Sequence, residues 1–171
     1  LRGMSPDALC EEEGPDESLP YPVLSVYTAE RCERLNPPAA QPDRRLTLQF
    51  ITDISPVEEA ERLLSLVQNG GAVARITNTV QRAQDIFAAL REIAPAYVEL
   101  HLLHARLPGD DRLAREGRLT ERLGPESQRS PEDRIIVVGT QVLEQSLDYD
   151  VDLMVSDLAP TDLLLQRAGR L

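Results

Sequence analysis

The sequence contains no lysine, and all 18 of its basic residues are arginine. A P-loop carries a lysine after its glycine-rich turn, because that ammonium group reaches the β- and γ-phosphates of a nucleotide. The chain also has no Asp-Glu pair that closes an apolar strand, the pattern that accompanies a P-loop. These absences exclude a complete P-loop site, and we expect any ATP site to which the chain contributes to be completed by another domain.

Long apolar runs and cysteines are also scarce. No run of roughly 18 apolar residues occurs, so the sequence predicts no membrane-spanning helix and no membrane partner. The first residues lack the apolar core of a signal peptide. The two cysteines are Cys10 and Cys32. A disulfide between them would suit an exported protein, but without an export signal we expect unpaired thiols in the cytoplasm.

Negative charge is in excess, with a formal net charge of −11. Proteins that coat nucleic acid usually carry a basic surface, because phosphate groups dominate the affinity. The acidic residues concentrate between positions 7 and 17 and again between 144 and 162, which is typical of a solvated surface. We therefore expect this chain to bind nucleic acid only weakly by itself.

The first part of the chain differs from the rest in its hydrophobic periodicity and proline content. Residues 1–45 have no clean periodicity and hold seven of the 13 prolines, so they predict an acidic, proline-rich linker or interdomain extension with one short strand at 23–27. Apolar and polar residues then alternate over 46–50, which predicts a strand with one buried face. The sequence thus predicts an extension at 1–45 and a folded domain at 46–171.

Strands and helices alternate in the predicted domain. Ser55, Pro56 and Glu58 form a capping-box pattern that begins a helix, and Gly70 and Gly71 permit a left-handed cap at its end. The other predicted strands are 72–77, 97–103, 134–139 and 152–156, and the other predicted helices are 79–93, 110–123 and 161–170. This order implies right-handed crossovers, and hence an α/β fold with a parallel sheet covered on both faces.

Polar residues follow the apolar strand at 134–139. In open α/β sheets ligands bind beyond the carboxyl ends of strands, where the Thr140 hydroxyl, the Gln141 amide and helix N–H groups could bind a phosphate oxygen. The same pattern is typical of an ordinary capped helix start. Asp148 could accept a bond from a ribose hydroxyl or simply occupy a turn.

The segment 166–170 reads Gln-Arg-Ala-Gly-Arg. Gly169 permits close backbone approach, and the spacing of Gln166 and Arg170 places both on one face of a helix. An amide and a guanidinium there could reach a γ-phosphate across a cleft, as an arginine finger does. The alternative is a surface arginine on an amphipathic helix.

The two histidines do not predict a metal site. His101 and His104 lie three residues apart on a predicted strand, so their side chains point to opposite faces. We expect no metal ligands among the residues of this chain.

Several segments together resemble motifs of superfamily 2 helicases. Residues 140–148 resemble motif V, and 153–171 resemble the approach to motif VI and motif VI itself. Residues 76–84 resemble motif IV and 102–108 resemble motif IVa. The sequences of these motifs are similar to those of the CRISPR-associated helicase–nuclease family of type I interference, above all in Val-Leu-Glu-Gln-Ser-Leu-Asp and Ser-Asp-Leu-Ala-Pro. The resemblance covers roughly residues 46 to 171.

The resemblance implies roles for particular residues. Nucleic-acid contacts fall on Asn78, Thr79, Arg106, Thr140 and Gln141. Nucleotide contacts fall on Ser146, Asp148, Gln166 and Arg170. Of these, Arg170 and Gln166 are the catalytic candidates, because they match the γ-phosphate contacts of motif VI.

The resemblance also implies a fold and a function. The chain would be the second RecA-like domain of a bacterial, cytoplasmic enzyme, which moves 3′ to 5′ on single-stranded DNA and is recruited by an RNA-guided CRISPR surveillance complex. ATP and Mg²⁺ would be shared with a first RecA-like domain, and nuclease metal ions would belong to another domain. Motif VI would be cut after Leu171. The alternatives are another superfamily 2 DNA translocase and a non-catalytic fragment that binds DNA or a partner.

Overall fold

The computed structural model describes residues 24–27, 32–35, 37, 47–52, 54–145 and 148–171. It divides the chain into two units, Leu1–Leu48 and Gln49–Leu171. The predicted linker is therefore described only in part, and Cys10 and Ser146 lie outside the described residues.

The first unit contains a pair of antiparallel strands. β1 (Leu24–Tyr27) pairs with β2 (Cys32–Leu35), with Leu24 opposite Leu35 and Tyr27 opposite Cys32. The strand predicted at 23–27 is confirmed as β1. β2 was not predicted, because Cys-Glu-Arg-Leu shows no alternation that would reveal a strand before its partner is known.

The second unit is an α/β domain. In chain order its elements are α1 (Pro56–Leu66), β3 (Gly71–Ile76), α2 (Val80–Ile93), β4 (Glu99–Leu103), α3 (Gly109–Leu123), β5 (Arg134–Gly139), α4 (Val142–Gln145), β6 (Leu153–Ser156) and α5 (Thr161–Ala168). The four strands are parallel, in the order β4-β5-β3-β6. The predicted parallel α/β fold is confirmed.

Local signals explain where the first helices begin. The Ser55 hydroxyl accepts from the Glu58 N–H at 3.3 Å, and the Glu58 carboxylate accepts from the Ser55 N–H at 2.8 Å, so the predicted capping box is present. Thr79 caps α2 in the same way by accepting from the Arg82 N–H at 3.3 Å.

The end of α1 differs from the prediction. The helix ends at Leu66, with Val67 as its C-cap; Gly70 lies in the turn before β3 and Gly71 is the first residue of β3, with φ of 96° and 104°. A Cβ on Gly70 would lie 2.1 Å from the carbonyl oxygen of Pro131. The glycines are therefore needed for the turn rather than for the helix cap.

The core lies on both faces of the sheet, as alternation along β5 requires. Ile135 and Val137 pack on the face covered by α3 and α4. Ile136 and Val138 pack on the face covered by α1 and α2. All four side chains are fully buried, so β5 is the central apolar strand that its sequence predicted.

The strand predicted over 46–50 is wrong for its described part. Residues 47–50 form no strand, and the side chains of Leu48 and Phe50 are each 80% exposed. Alternation alone does not make a strand, and no strand in the described part of the chain pairs with this segment. None of the helices within the described ranges is long and apolar enough to cross a membrane.

Candidate functional site at the carboxyl edge of the sheet

The four parallel strands end at the same level. Leu103 of β4 lies beside Gly139 of β5, Gly139 beside Ile76 of β3, and Ile76 beside Ser156 of β6. The loops that follow these residues therefore lie side by side, and we call this row of loops the carboxyl edge. Ligands of open α/β sheets bind at such an edge.

Gly139 allows β4 and β5 to end close together. A Cβ at this position would lie 2.5 Å from the Leu103 carbonyl oxygen and 2.7 Å from Leu143 Cδ1. The chain then turns at Thr140, whose N–H donates to the Leu103 carbonyl at 3.2 Å and whose carbonyl accepts from the Leu143 N–H at 3.0 Å. Thr140 is buried and Gln141 half-buried, so both lie at the edge, in the turn that opens α4.

The loop after β3 is held by neighbouring strands. The Thr77 hydroxyl donates to the Thr79 carbonyl at 2.8 Å. The Asn78 N–H donates to Asp157 Oδ2 at 2.8 Å, and its side-chain amide donates to the Leu158 carbonyl at 2.9 Å. Asn78 and Thr79 thus have structural roles at the edge, while the side chain of Asn78 remains exposed.

The loop after β4 carries an exposed cation and a buried histidine. Arg106 is exposed, and it makes no ion pair with the residues that the structure describes. His104 is 2% exposed, with Nε2 3.3 Å from Gln84 Nε2. Burial, assisted by the charges of Arg115 and Arg106, lowers the pKa of His104, so its imidazole is neutral at neutral pH.

The histidines have separate partners. His101 Nε2 lies 2.8 Å from Glu99 Oε1 on β4, whereas His104 contacts Gln84 on α2. Within the described ranges, no group of His, Cys, Asp or Glu side chains could hold a metal ion.

A buried ion pair joins α5 to α4. Arg167 donates through Nε to Glu144 Oε1 at 2.7 Å, and Nη2 lies 2.5 Å from the same oxygen. Arg167 Nη1 donates to the Ser156 hydroxyl and, at 2.9 Å, to the Asp157 carbonyl. Neither Arg167 nor Glu144 was predicted, because nothing in the sequence links two residues 23 positions apart. Arg167 is therefore unavailable to reach a phosphate.

Arg170 does not continue the face of α5. The helix ends at Ala168, two residues short of the prediction, and the Arg170 side chain turns back toward the loop before β6. Its Nη1 donates to Asp148 Oδ1 at 3.1 Å, and its guanidinium lies 5.6 Å from the centre of the Tyr149 ring. Gln166 is exposed on α5, so the structure brings Arg170 together with Asp148 rather than with Gln166.

A second buried network lies behind the edge. Arg75 of β3 is 3% exposed and donates to Glu59 of α1 and, at 2.6 Å, to Asp157 Oδ1. Glu59 also accepts from Arg82 of α2 at 2.8 Å. These residues were not predicted either. An arginine inside an apolar strand is a signal that an acidic partner is buried nearby, although the partner cannot be read from the sequence.

A parallel sheet with helices on both faces and polar loops in register at its carboxyl edge defines an open α/β domain of the class that binds ligands at this edge. Residues 69–171 match the family model of the C-terminal region of the CRISPR-associated nuclease/helicase Cas3. The chain therefore belongs to the Cas3 family, which sets aside the other superfamily 2 translocases.

Individual relatives agree with this assignment. The CRISPR-associated endonuclease/helicase Cas3 of Thermus thermophilus is 35% identical over 94% of this chain and 21% of its own length. The crystal structure of T. fusca Cas3-ATP is similar with a TM-score of 0.77 and 34% identity, over 94% of this chain and 20% of that chain. A structure of a CRISPR RNA-guided surveillance complex before nicking contains a chain similar with a TM-score of 0.69 and 34% identity, over 94% and 21%. This chain spans about a fifth of the length of these proteins.

Proposed function

We propose that this chain is part of an ATP-dependent 3′–5′ DNA helicase or translocase, joined to a nuclease, that unwinds and degrades target DNA in type I CRISPR interference. Residues 46–171 would form its second RecA-like domain and residues 1–45 an interdomain extension. The observation that carries the proposal is the carboxyl edge, where the register of Leu103, Gly139, Ile76 and Ser156 aligns the loops of motifs IV, IVa and V.

The edge supports a nucleic-acid contact along its length. Arg106 is an exposed cation at the β4 end, and a guanidinium with no ion pair to the described residues is suited to a phosphate. Thr140 and Gln141 follow at the β5 end, and Asn78 and Thr79 at the β3 end. We propose that the backbone of single-stranded DNA runs across these three loops.

The proposed nucleotide contacts lie at the end of motif V and in motif VI. Arg170 pairs with Asp148, whose side chain is 80% exposed. Exposed pairs of this kind contribute about 0–1 kcal/mol, so the guanidinium can exchange this carboxylate for a phosphate at little cost. We propose that Arg170 and Gln166 contact the γ-phosphate, and that Asp148 and Ser146 face the rest of the nucleotide.

The other binding sites of the full-length enzyme involve domains outside this chain. We propose that ATP and Mg²⁺ bind between this domain and a first RecA-like domain, and that nuclease metal ions bind in a further domain. The similarity to T. fusca Cas3-ATP supports the nucleotide. The similarity to a chain in a surveillance complex supports recruitment by such a complex, in the cytoplasm of a bacterium.

ATP hydrolysis with and without single-stranded DNA tests the proposal. The full-length enzyme that contains this chain should release phosphate, and DNA should stimulate the release. The 171-residue chain should release none under either condition, because it has no lysine and therefore no P-loop. DNA-stimulated turnover by the isolated chain would refute the proposal that it holds only part of the ATP site. A full-length enzyme without such turnover would refute the proposal that it is an ATP-dependent helicase or translocase.

A further inference from the structure

Asp157 connects three segments of the domain through three of its oxygen atoms. Its Oδ1 accepts from Arg75 Nη2 at 2.6 Å, and its Oδ2 accepts from the Asn78 N–H at 2.8 Å. Its carbonyl oxygen accepts from Arg167 Nη1 at 2.9 Å. A single residue thus binds the buried side of β3, the loop after β3, and α5.

The contact on the nucleic-acid side is reciprocal. While the Asp157 carboxylate holds the N–H of Asn78, the side-chain amide of Asn78 donates to the Leu158 carbonyl at 2.9 Å. Two hydrogen bonds therefore fix the Asn78 loop to the segment after β6. A shift of Asp157 would move the loop that we propose to contact DNA.

The contact on the nucleotide side passes through the backbone. Arg167 is 2% exposed in α5, and its guanidinium is enclosed by Glu144, the Ser156 hydroxyl and the Asp157 carbonyl. α5 also carries Gln166 and leads directly to Arg170. Any displacement of the Asp157 carbonyl would therefore change the position of the helix that presents the proposed γ-phosphate contacts.

The Asp157 carboxylate is charged where it meets its two donors. Burial raises the pKa of Asp157, but the hydrogen bonds from the Asn78 N–H and the Arg75 guanidinium outweigh it, so the net pKa is lowered. The carboxylate is thus ionised at neutral pH. Arg75 is itself fixed by Glu59, which accepts from Arg82 as well.

We propose that Asp157 is a positioning residue that couples nucleic-acid binding at the Asn78 loop to the placement of α5, and through it to ATP hydrolysis. Coupling between sites requires a physical connection that both sites can displace. Here the connection is one residue, with its carboxylate on the Asn78 loop and its carbonyl on Arg167. This inference rests on the proposed function.

Asp152 at the opposite end of β6 offers a matched control. Its Oδ2 accepts from the Ala72 N–H at 2.7 Å, and its Oδ1 accepts from Arg129 Nη2 at 3.0 Å. Like Asp157, it accepts from one backbone N–H and one arginine, here from Ala72 on β3 and from Arg129 in the segment before β5, although its side chain is 50% exposed against 23% for Asp157. Asp152 lies at the amino end of the strands, away from the carboxyl edge, so its loss should weaken the sheet without touching the coupling.

The test compares Asp157→Asn with Asp152→Asn in the full-length enzyme. Asparagine keeps the shape of aspartate, but its NH₂ group must face either Arg75 or the Asn78 N–H, and both are donors. Basal and DNA-stimulated ATP hydrolysis are measured across a range of single-stranded DNA concentrations. We expect the ratio of stimulated to basal rate to fall about fivefold or more in Asp157→Asn, within the usual range of coupling, and about twofold or less in Asp152→Asn.

An Asn78→Ala background shows whether the effect passes through this loop. If it does, Asp157→Asn should add little to the loss of DNA affinity that Asn78→Ala causes, because the side chain whose position Asp157 controls is already absent. Additive losses would overturn this route. Should Asp157→Asn unfold, Asp157→Glu keeps the charge beside Arg75 while displacing the carboxylate from the Asn78 N–H, and the same ratio must fall.

Other outcomes separate the inference from the function on which it rests. Equal effects of Asp157→Asn and Asp152→Asn would reduce Asp157 to a structural residue, and so would an equal loss of basal and stimulated rates. In both cases the wild-type enzyme would still respond to DNA, and the proposed function would stand. A wild-type enzyme that DNA does not stimulate would overturn both.

Discussion

Removing one partner of the buried ion pair between Arg167 and Glu144 should strongly destabilise the fold. Their side chains are 2% and 1% exposed, and Glu144 Oε2 has no hydrogen-bond partner among the described residues. Arg167→Met keeps a long unbranched side chain but leaves the Glu144 carboxylate buried without a cation. Removing one partner of a buried pair usually costs about 3–5 kcal/mol, because the remaining charge stays desolvated.

Removing both charges should be far less harmful than removing one. In the double variant Arg167→Met with Glu144→Leu, no charge remains buried at the contact between α4 and α5. Apolar replacement of a whole buried pair is often neutral or stabilising by about 1–4 kcal/mol. The double variant should therefore recover most of the stability that Arg167→Met loses.

Urea unfolding followed by circular dichroism measures these differences. With a urea dependence of about 2 kcal/mol/M, a loss of about 3–5 kcal/mol lowers the midpoint by about 1.5–2.5 M. Arg118→Met is the control, because Arg118 is exposed on α3 and such substitutions usually stay within about 0.5 kcal/mol. If Arg167→Met lowers the midpoint no more than Arg118→Met, the pair is solvated in solution and the reasoning is wrong.

Two glycines, a buried phenol and an exposed arginine can each be tested separately. Gly139→Ala places a Cβ 2.5 Å from a carbonyl oxygen of β4 and should lower the thermal unfolding midpoint. Gly117→Ala meets open space within α3 and should stabilise the fold by about 1 kcal/mol. Equal midpoints for the two variants would contradict this. Burial raises the pKa of Tyr149 to about 12 from 10.0. Because the unfolded chain releases this proton first, the free energy of unfolding of the wild type should fall by about 2–3 kcal/mol as the pH rises across this window. Tyr149→Phe should abolish that loss in unfolding measured against pH, and an unchanged alkaline profile would argue against a buried phenol. Arg106→Ala in the full-length enzyme should reduce the salt slope of single-stranded DNA affinity by about 0.7, and Arg118→Ala should leave it unchanged; identical slopes would remove Arg106 from the DNA contact.

Local signals in the sequence predicted the elements well. The capping box of Ser55 and Glu58 involves residues three positions apart, so its pattern and its geometry are both readable from the sequence. The same holds for the apolar run of β5, whereas the cap at Thr79 was not predicted, since the predicted helix included Thr79. The parallel α/β fold followed from the order of these elements.

Contacts between distant residues were not predictable in the same way. Arg75 meets Asp157 across 82 positions, and Arg167 meets Glu144 across 23. Such pairs depend on the strand order and register, which composition and periodicity leave open. The position of Arg170 beside Asp148 has the same origin, because it requires α5 to end at Ala168.

At residues 46–50 the sequence predicted an element that the structure does not show in the described part of the segment. Its alternation predicted a strand, but a strand needs a partner with which to form hydrogen bonds, and Leu48 and Phe50 are instead each 80% exposed. A local pattern specifies an element only where the rest of the fold supplies a surface for it.

The role of Arg170 tests the account most directly. ATP turnover at saturating single-stranded DNA should be measured for the full-length enzyme and its Arg170→Ala variant, with ATP affinity determined separately by nucleotide binding. Because an arginine finger acts on charge that develops in the transition state, turnover should fall by about 10³-fold or more while ATP affinity changes little. A variant that hydrolyses ATP at the wild-type rate would contradict the account, and Gln166 would become the remaining candidate on α5.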